Sequence, residues 1–146
     1  DLRALAATVA NSQRGESEFP TAMGYALGYG AGLLARGPDC LFRTLDMAGD
    51  GENNEGFPPN LAYAAFPFDE VVVNGLVVAA TDGPDQADVA AYYRNEVLHG
   101  PGAFLEIAGG FEDYERAMRR KLLRELRPRA VGALKPPAPA LPETPG

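Results

Sequence analysis

At 146 residues the chain has the length of one ordinary domain, and 46% hydrophobic with 23% charged residues is the composition of a globular protein with a sizeable core. Thirteen basic against twenty acidic side chains leave a formal net charge of −7, which argues against nonspecific nucleic-acid binding, since that affinity comes from neutralising phosphates. One cysteine excludes an internal disulfide or a thiolate metal cluster; no stretch approaches the roughly 18 apolar residues of a membrane span, and the N-terminus lacks the basic, apolar and small-residue order of a signal peptide.

Residues 1–12 carry helical periodicity, with Leu2, Leu5, Ala6 and Val9 on one face, and the pattern is already under way at Asp1, as in a chain entered in mid-domain. Residues 11–18 read as a polar loop. A second helix is predicted from Pro20-Thr21 through Met23, Ala26, Leu27, Leu33 and Leu34 to Arg36-Gly37-Pro38, where glycine and proline stop it. Its glycines at 24, 28, 30 and 32 lower helix propensity, so tight packing of this helix on a sheet is expected; no G-x-G-x-x-G follows a strand here. Residues 40–47 are the first strand, covered on most of both faces, with Cys40 read as a small buried hydrophobe.

A short helix is predicted over residues 59–65, cut by Phe66-Pro67-Phe68. Residues 71–79 are the clearest strand, a near-continuous β-branched run of the kind buried in a parallel sheet. Residues 85–98 read as a helix with Val89, Tyr92, Tyr93 and Val97 on its apolar face, and residues 103–108 as a short strand. Residues 111–126 form an amphipathic helix whose stripe carries Phe111, Tyr114, Met118, Leu122 and Leu126. Strands alternating with helices imply right-handed crossovers and a parallel sheet. From Arg127 the composition turns to Pro128, Pro136, Pro137, Pro139, Pro142 and Pro145, which divides the chain into a domain of residues 1–127 and a disordered or polyproline-like tail, 128–146.

The segment Asp46-Met47-Ala48-Gly49-Asp50-Gly51-Glu52-Asn53-Asn54-Glu55-Gly56 follows the first apolar run with carboxylates and carboxamides in a glycine-punctuated turn. Hard oxygen donors at a strand's end suit a divalent cation, and they equally suit a solvated surface turn. An EF-hand is excluded, because counting from Asp46 puts Ala48 at position 3 and Phe57 at position 12. A phosphohydrolase would use Asp46 or Asp50 as nucleophile or magnesium ligand at the sheet's carboxyl edge, but no lysine or arginine partner for a phosphate is identifiable. His99, between a helix and a strand, reads as a helix C-terminal cap. Arg116, Arg119, Arg120, Lys121, Arg124 and Arg127 read as a solvated face.

Taken in order, Thr21-Ala22-Met23-Gly24-Tyr25-Ala26-Leu27, the Asp46 to Gly56 segment, Val73-Asn74-Gly75-Leu76, Tyr92-Tyr93, Val97, Gly100-Pro101-Gly102-Ala103-Phe104, Ala117 and Lys121-Leu122-Leu123-Arg124-Glu125 resemble the DUF1194 family. That bacterial family of unassigned function is in turn similar to the von Willebrand factor type A domain. The resemblance covers roughly residues 1–127. It implies an α/β, Rossmann-like, mostly parallel sheet with flanking helices and a metal-ion-dependent adhesion site at the strands' carboxyl edge. Within that site Thr21 resembles the threonine ligand and Asp50 the aspartate. Magnesium held by neutral hydroxyls stays electron-poor enough to seek a carboxylate from a partner protein.

Two departures stand out. Ala48 occupies a position where the family resembles Asp-Val-Ser-Gly-Asp-Gly, and no Asp-x-Ser-x-Ser occurs anywhere in the sequence, as though the first strands were lacking. The expectation is therefore a protein-binding, non-enzymatic module whose cation site is half present, in an extracytoplasmic (periplasmic or secreted) setting implied by the resemblance. The alternatives are a magnesium-dependent phosphohydrolase using Asp46 and Asp50, or an inactive truncated fragment. No catalytic residue, organic cofactor or nucleic-acid partner is expected.

Overall fold

The computed structural model describes residues 1–13, 20–79 and 85–127, without the side chains of residues 85–87. In chain order the elements are α1 (Leu2–Ala10), α2 (Met23–Arg36), β1 (Arg43–Gly49), α3 (Pro59–Ala65), β2 (Val71–Val78) and α4 (Asp85–Tyr92). A π-helical turn (Tyr93–Val97), β3 (Leu105–Ala108), a 3-10 turn (Phe111–Asp113) and α5 (Tyr114–Glu125) follow. The predicted tail, 128–146, and part of the predicted loop, 14–18, lie outside the described residues.

The three strands form one parallel sheet in the order β1-β2-β3, with Arg43 opposite Val71, Gly49 opposite Val77 and Gly75 opposite Leu105. Helices lie on both faces, the arrangement of a Rossmann-like fold. The central strand β2 is buried at every residue, as its β-branched run required. Its odd-numbered side chains Val71, Val73 and Val77 pack with Met23, Leu27 and Ala31 of α2, Ala62 of α3, and Tyr93 and Val97. Its other face, with Leu76 and Val78, packs on Ala108 and on Ala117 of α5.

Several expectations are corrected. The first strand begins at Arg43, not at Cys40; Cys40 is exposed and Leu41 is 88% exposed, because pairing with β2 starts only at Arg43. The strand therefore continues past Met47 to Gly49, which leaves Asp46 in mid-strand and only Asp50 beyond its end. Of the four helix glycines, Gly30 meets Leu45 of the sheet, but Gly24 and Gly28 meet Phe57 and Phe66, and Gly32 has only its own helix's Arg36 within reach. The predicted helix 85–98 ends its α-helical course at Tyr92 and closes as the π turn, with Leu98 N–H donating to the Tyr93 carbonyl at 2.9 Å.

Among the described residues the ring of His99 caps no helix. It forms an antiparallel bridge to Val73, and its imidazole stacks on Tyr63 with centroids 4.4 Å apart. The basic face of α5 is not wholly solvated either: Lys121 is 0% exposed, the Arg124 guanidinium sits 3.8 Å from the centroid of Phe104, and Arg120 bonds Glu106 at 2.6 Å. From α5, Ala117 and Lys121 are buried and Tyr114 and Met118 of the predicted stripe pack against the same sheet-side cluster, while its Leu122, Leu126 and the nearby Phe111 stay exposed. The apolar face of α1 is likewise exposed at Leu2, Leu5 and Val9.

Candidate functional site

Four hydrogen bonds bring two loops together at the carboxyl end of β1. After the strand, Asn53 and Asn54 turn back on the segment that leads into α2: Met23 N–H donates to Asn53 Oδ1 at 2.7 Å and Thr21 N–H to Asn54 Oδ1 at 2.8 Å. In return the Asn54 and Glu55 amides donate to the Thr21 carbonyl at 3.0 and 3.1 Å. The first amides of a helix have no partner within it, and α2 takes no cap from Ala22, so a carboxamide from a distant loop supplies one. Asn53 and Asn54, part of the oxygen-rich turn in the sequence, thus clamp α2.

This clamp makes Thr21 and Asp50 neighbours across one cleft of about 260 Å³, lined by Thr21, Ala22, Met23, Ala26, the run Met47 to Gly51, and Tyr93. Thr21 and Asp50 are both exposed at its rim. Tyr93 forms its inner wall. The Tyr93 side chain is 0% exposed, and its hydroxyl has no hydrogen-bond partner among the described residues. Burial, with the Asp50 carboxylate nearby, pushes its pKa up to about 12, so the phenol stays protonated and neutral across the physiological range.

Two glycines make room for that ring. A Cβ on Gly75 would lie 3.0 Å from Tyr93 Cδ1, and one on Gly49 would lie 2.7 Å from the hydroxyl oxygen. Tyr92, the residue before it, is not among those lining the cleft; burial raises its pKa, opposed by a backbone hydrogen bond at Asn53. Sequence periodicity put both tyrosines on one face and could not tell which would reach the cleft.

Asp46 is not part of this cleft. It pairs in register with Asn74, so its side chain leaves the sheet on the α5 face, where its carboxylate meets the Lys121 ammonium. Lys121 also bonds Glu125 at 2.5 Å. Glu125 accepts from Asn74 Nδ2 at 2.8 Å, while Asn74 Oδ1 accepts from the Phe104 amide at 3.1 Å. The motif residues Asp46, Asn74, Lys121 and Glu125 are thereby accounted for as one polar network under α5, each charge meeting a partner.

Fold and cleft define a parallel α/β domain with a ligand-sized recess at the carboxyl edge of its sheet, the location where open α/β folds bind ligands. The chain belongs to the DUF1194 family, a family described as protein of unknown function, whose sequence pattern it matches over residues 1–130. No curated protein and no solved structure matches it.

Proposed function

We propose that this protein is a binding module of the von Willebrand factor A kind, in which Thr21 and Asp50 are the half of a divalent-cation (magnesium) site that this chain supplies, the complete site taking a carboxylate from a partner protein through the cation. One observation carries the reading: a hydroxyl and a carboxylate from separate loops line the same cleft at the sheet's carboxyl edge. The donor chemistry fits a hard cation, being oxygen alone. Among the described residues no group of three or more His, Cys, Asp or Glu side chains could cage a metal, so magnesium would keep water in most of its positions, as it ordinarily does.

The bound cation would supply an electrophilic centre for the partner's carboxylate. The chain's own residues do the rest: Thr21 and Asp50 orient it, the Asn53 and Asn54 clamp sets the separation of the two rims, and the core beneath keeps them rigid. Binding without turnover is the reading's consequence. The pairing of Asp46 with Lys121 on the opposite face weighs against a phosphohydrolase, since its two carboxylates would have to act at one point. The setting this reading carries, from the family resemblance, is bacterial and extracytoplasmic.

Manganese, standing in for magnesium, tests it. Paramagnetic broadening should be centred on the backbone resonances of Thr21, Asp50 and Gly51 and vanish in Asp50→Ala. Broadening that ignores that substitution would remove the site. Turnover of a simple phosphomonoester, abolished in Asp46→Asn, would replace the reading with the hydrolase.

A further inference from the structure

The cleft beside Asp50 is acidic at its mouth and apolar along its sides, and the residues that form it carry no positive charge. From Thr44 to Tyr93 the sequence has no lysine, arginine or histidine, and residues 21–26 have none either. Every residue lining the cleft comes from those two stretches. The turn that follows β1 adds Glu52 and Glu55 to Asp50, all three exposed. Among the described residues none of the three has an ion-pair partner, whereas Asp46, Glu106, Asp113 and Glu125 all meet bases of α5.

Lining and size narrow the ligand. Ala22, Ala26, Met47 and Ala48 supply the sides and Thr21 and Asp50 the rim, while Tyr93 closes the inner wall and presents no surface to solvent. One carboxylate and one hydroxyl are fewer oxygens than octahedral magnesium needs, hence only half of a metal site. They do suit an ammonium group, which has three N–H donors and no acceptor. An ammonium on an alkyl chain lays its methylenes along apolar surface and keeps its charge at the wet rim, as lysine side chains do. At about 260 Å³ the cleft falls below the roughly 300–1,000 Å³ of sites for drug-sized ligands, so a single short chain matches it.

We propose that this cleft is itself a site for a primary alkylammonium, the chemistry shared by a lysine side chain and a free alkylamine. Asp50 is its counter-ion, Thr21 a second acceptor, and the alanines with Met47 carry the methylenes. Glu52 and Glu55 add to the negative field at the mouth and draw cations toward it. This site goes beyond the metal reading and does not rest on it: the Asp50 carboxylate serves one cation or the other, and the ammonium needs nothing from outside the chain.

Amide chemical shifts of the whole chain, followed at neutral pH with a metal chelator present, test it with n-butylammonium chloride, its uncharged analogue 1-butanol, and Nα-acetyl-lysine methylamide. Butylammonium should shift the Thr21, Ala26, Met47 and Gly51 amides saturably. Asp50→Asn, at an exposed position, should weaken that binding about 5-fold, the upper end for an exposed ion pair, and Ala26→Leu, which fills the recess from an exposed position of α2, should abolish it. Native affinity in both variants, or butanol binding as tightly as butylammonium, overturns the proposal. So do butylammonium shifts spread evenly over the acidic surface. Blocked lysine binding as tightly as butylammonium marks the side chain of a partner protein, and binding of butylammonium alone marks a free amine; both uphold the alkylammonium class. With chelator present, failure here leaves the manganese test of the metal reading standing, and failure of that test leaves this result standing.

Discussion

The Lys121 ammonium, fully withdrawn from solvent on α5, meets the Asp46 carboxylate in the middle of β1. A buried cation is tolerated only where it is paired, and Glu125 provides the second partner, itself tied to Asn74 of the central strand. The network joins β1, β2 and α5, so it positions the strand whose end carries Asp50.

Lys121→Met should therefore cost about 3 kcal/mol, the low end for breaking a buried pair, because Asp46 keeps 37% of its side-chain surface in water. Asp46→Asn, which leaves Lys121 its bond to Glu125, should cost only about 1 kcal/mol. Urea unfolding measures both. A Lys121→Met protein within about 0.5 kcal/mol of the native one would mean the network does not hold α5 to the sheet.

Asn53→Ala removes the acceptor for the Met23 amide, and Asn54→Ala the one for Thr21. Each should cost about 1 kcal/mol, the usual value of a helix cap, and the double substitution should loosen Thr21 relative to Asp50 without altering either. Hydrogen exchange at the Met23 and Thr21 amides should speed up accordingly. Unchanged exchange would mean the clamp is not what joins the two loops.

The α2 glycines divide by what lies over them. A Cβ on Gly24 would fall 2.0 Å from the Phe57 carbonyl oxygen, a backbone atom that cannot swing aside, so Gly24→Ala should destabilise by about 3 kcal/mol, the upper end for overpacking. Gly32 has nothing nearer than the flexible Arg36 side chain at 3.4 Å, and Gly32→Ala should instead stabilise by roughly 0.5–1 kcal/mol through helix propensity. Thermal melts of the two variants should move in opposite directions.

Asp113 has its pKa held below the usual carboxylate range, first by the Gly109 amide and then by Arg116. A depressed folded value means the stabilisation is present above the unfolded carboxylate pKa, near ~4, and is lost as pH falls through the lower folded value. At the other extreme burial raises Tyr63, which donates to the Val97 carbonyl, so its contribution is intact below the unfolded tyrosine pKa of about 10 and disappears as pH rises beyond it. Stability followed against pH should lose part of its acid limb in Asp113→Asn and part of its alkaline limb in Tyr63→Phe. An unaltered acid limb in Asp113→Asn would exclude that carboxylate from acid unfolding.

Among the described residues β1 has β2 on one side and no strand on the other, so it offers an unpaired row of backbone donors and acceptors. Such edges associate, and a lysine on them opposes it. Sedimentation should show concentration-dependent self-association that weakens in Thr44→Lys, a substitution at an exposed position of β1. A strictly monomeric native protein at high concentration would exclude the edge as a contact.

Local chemistry made much of this legible in advance. The β-branched run from Val71 to Val78 could be stable only as a strand buried on both faces, and alternation of strands with helices made the sheet parallel. The ordered motifs, through their family resemblance, singled out Thr21 and Asp50, which line one cleft. Which side chain serves which purpose was a matter for tertiary structure. Asp46 and Asp50 look equivalent in the sequence, yet strand pairing carried to Gly49 turns one toward Lys121 and leaves the other at the rim. Lys121 reads as polar surface until Asp46 and Glu125 neutralise it, and Tyr93 is distinguished from Tyr92 only by the π turn and the space above Gly49 and Gly75. Periodicity reports which face a residue occupies, whereas burial, pairing and reach depend on contacts between residues tens of positions apart, and those exist only once the chain has folded.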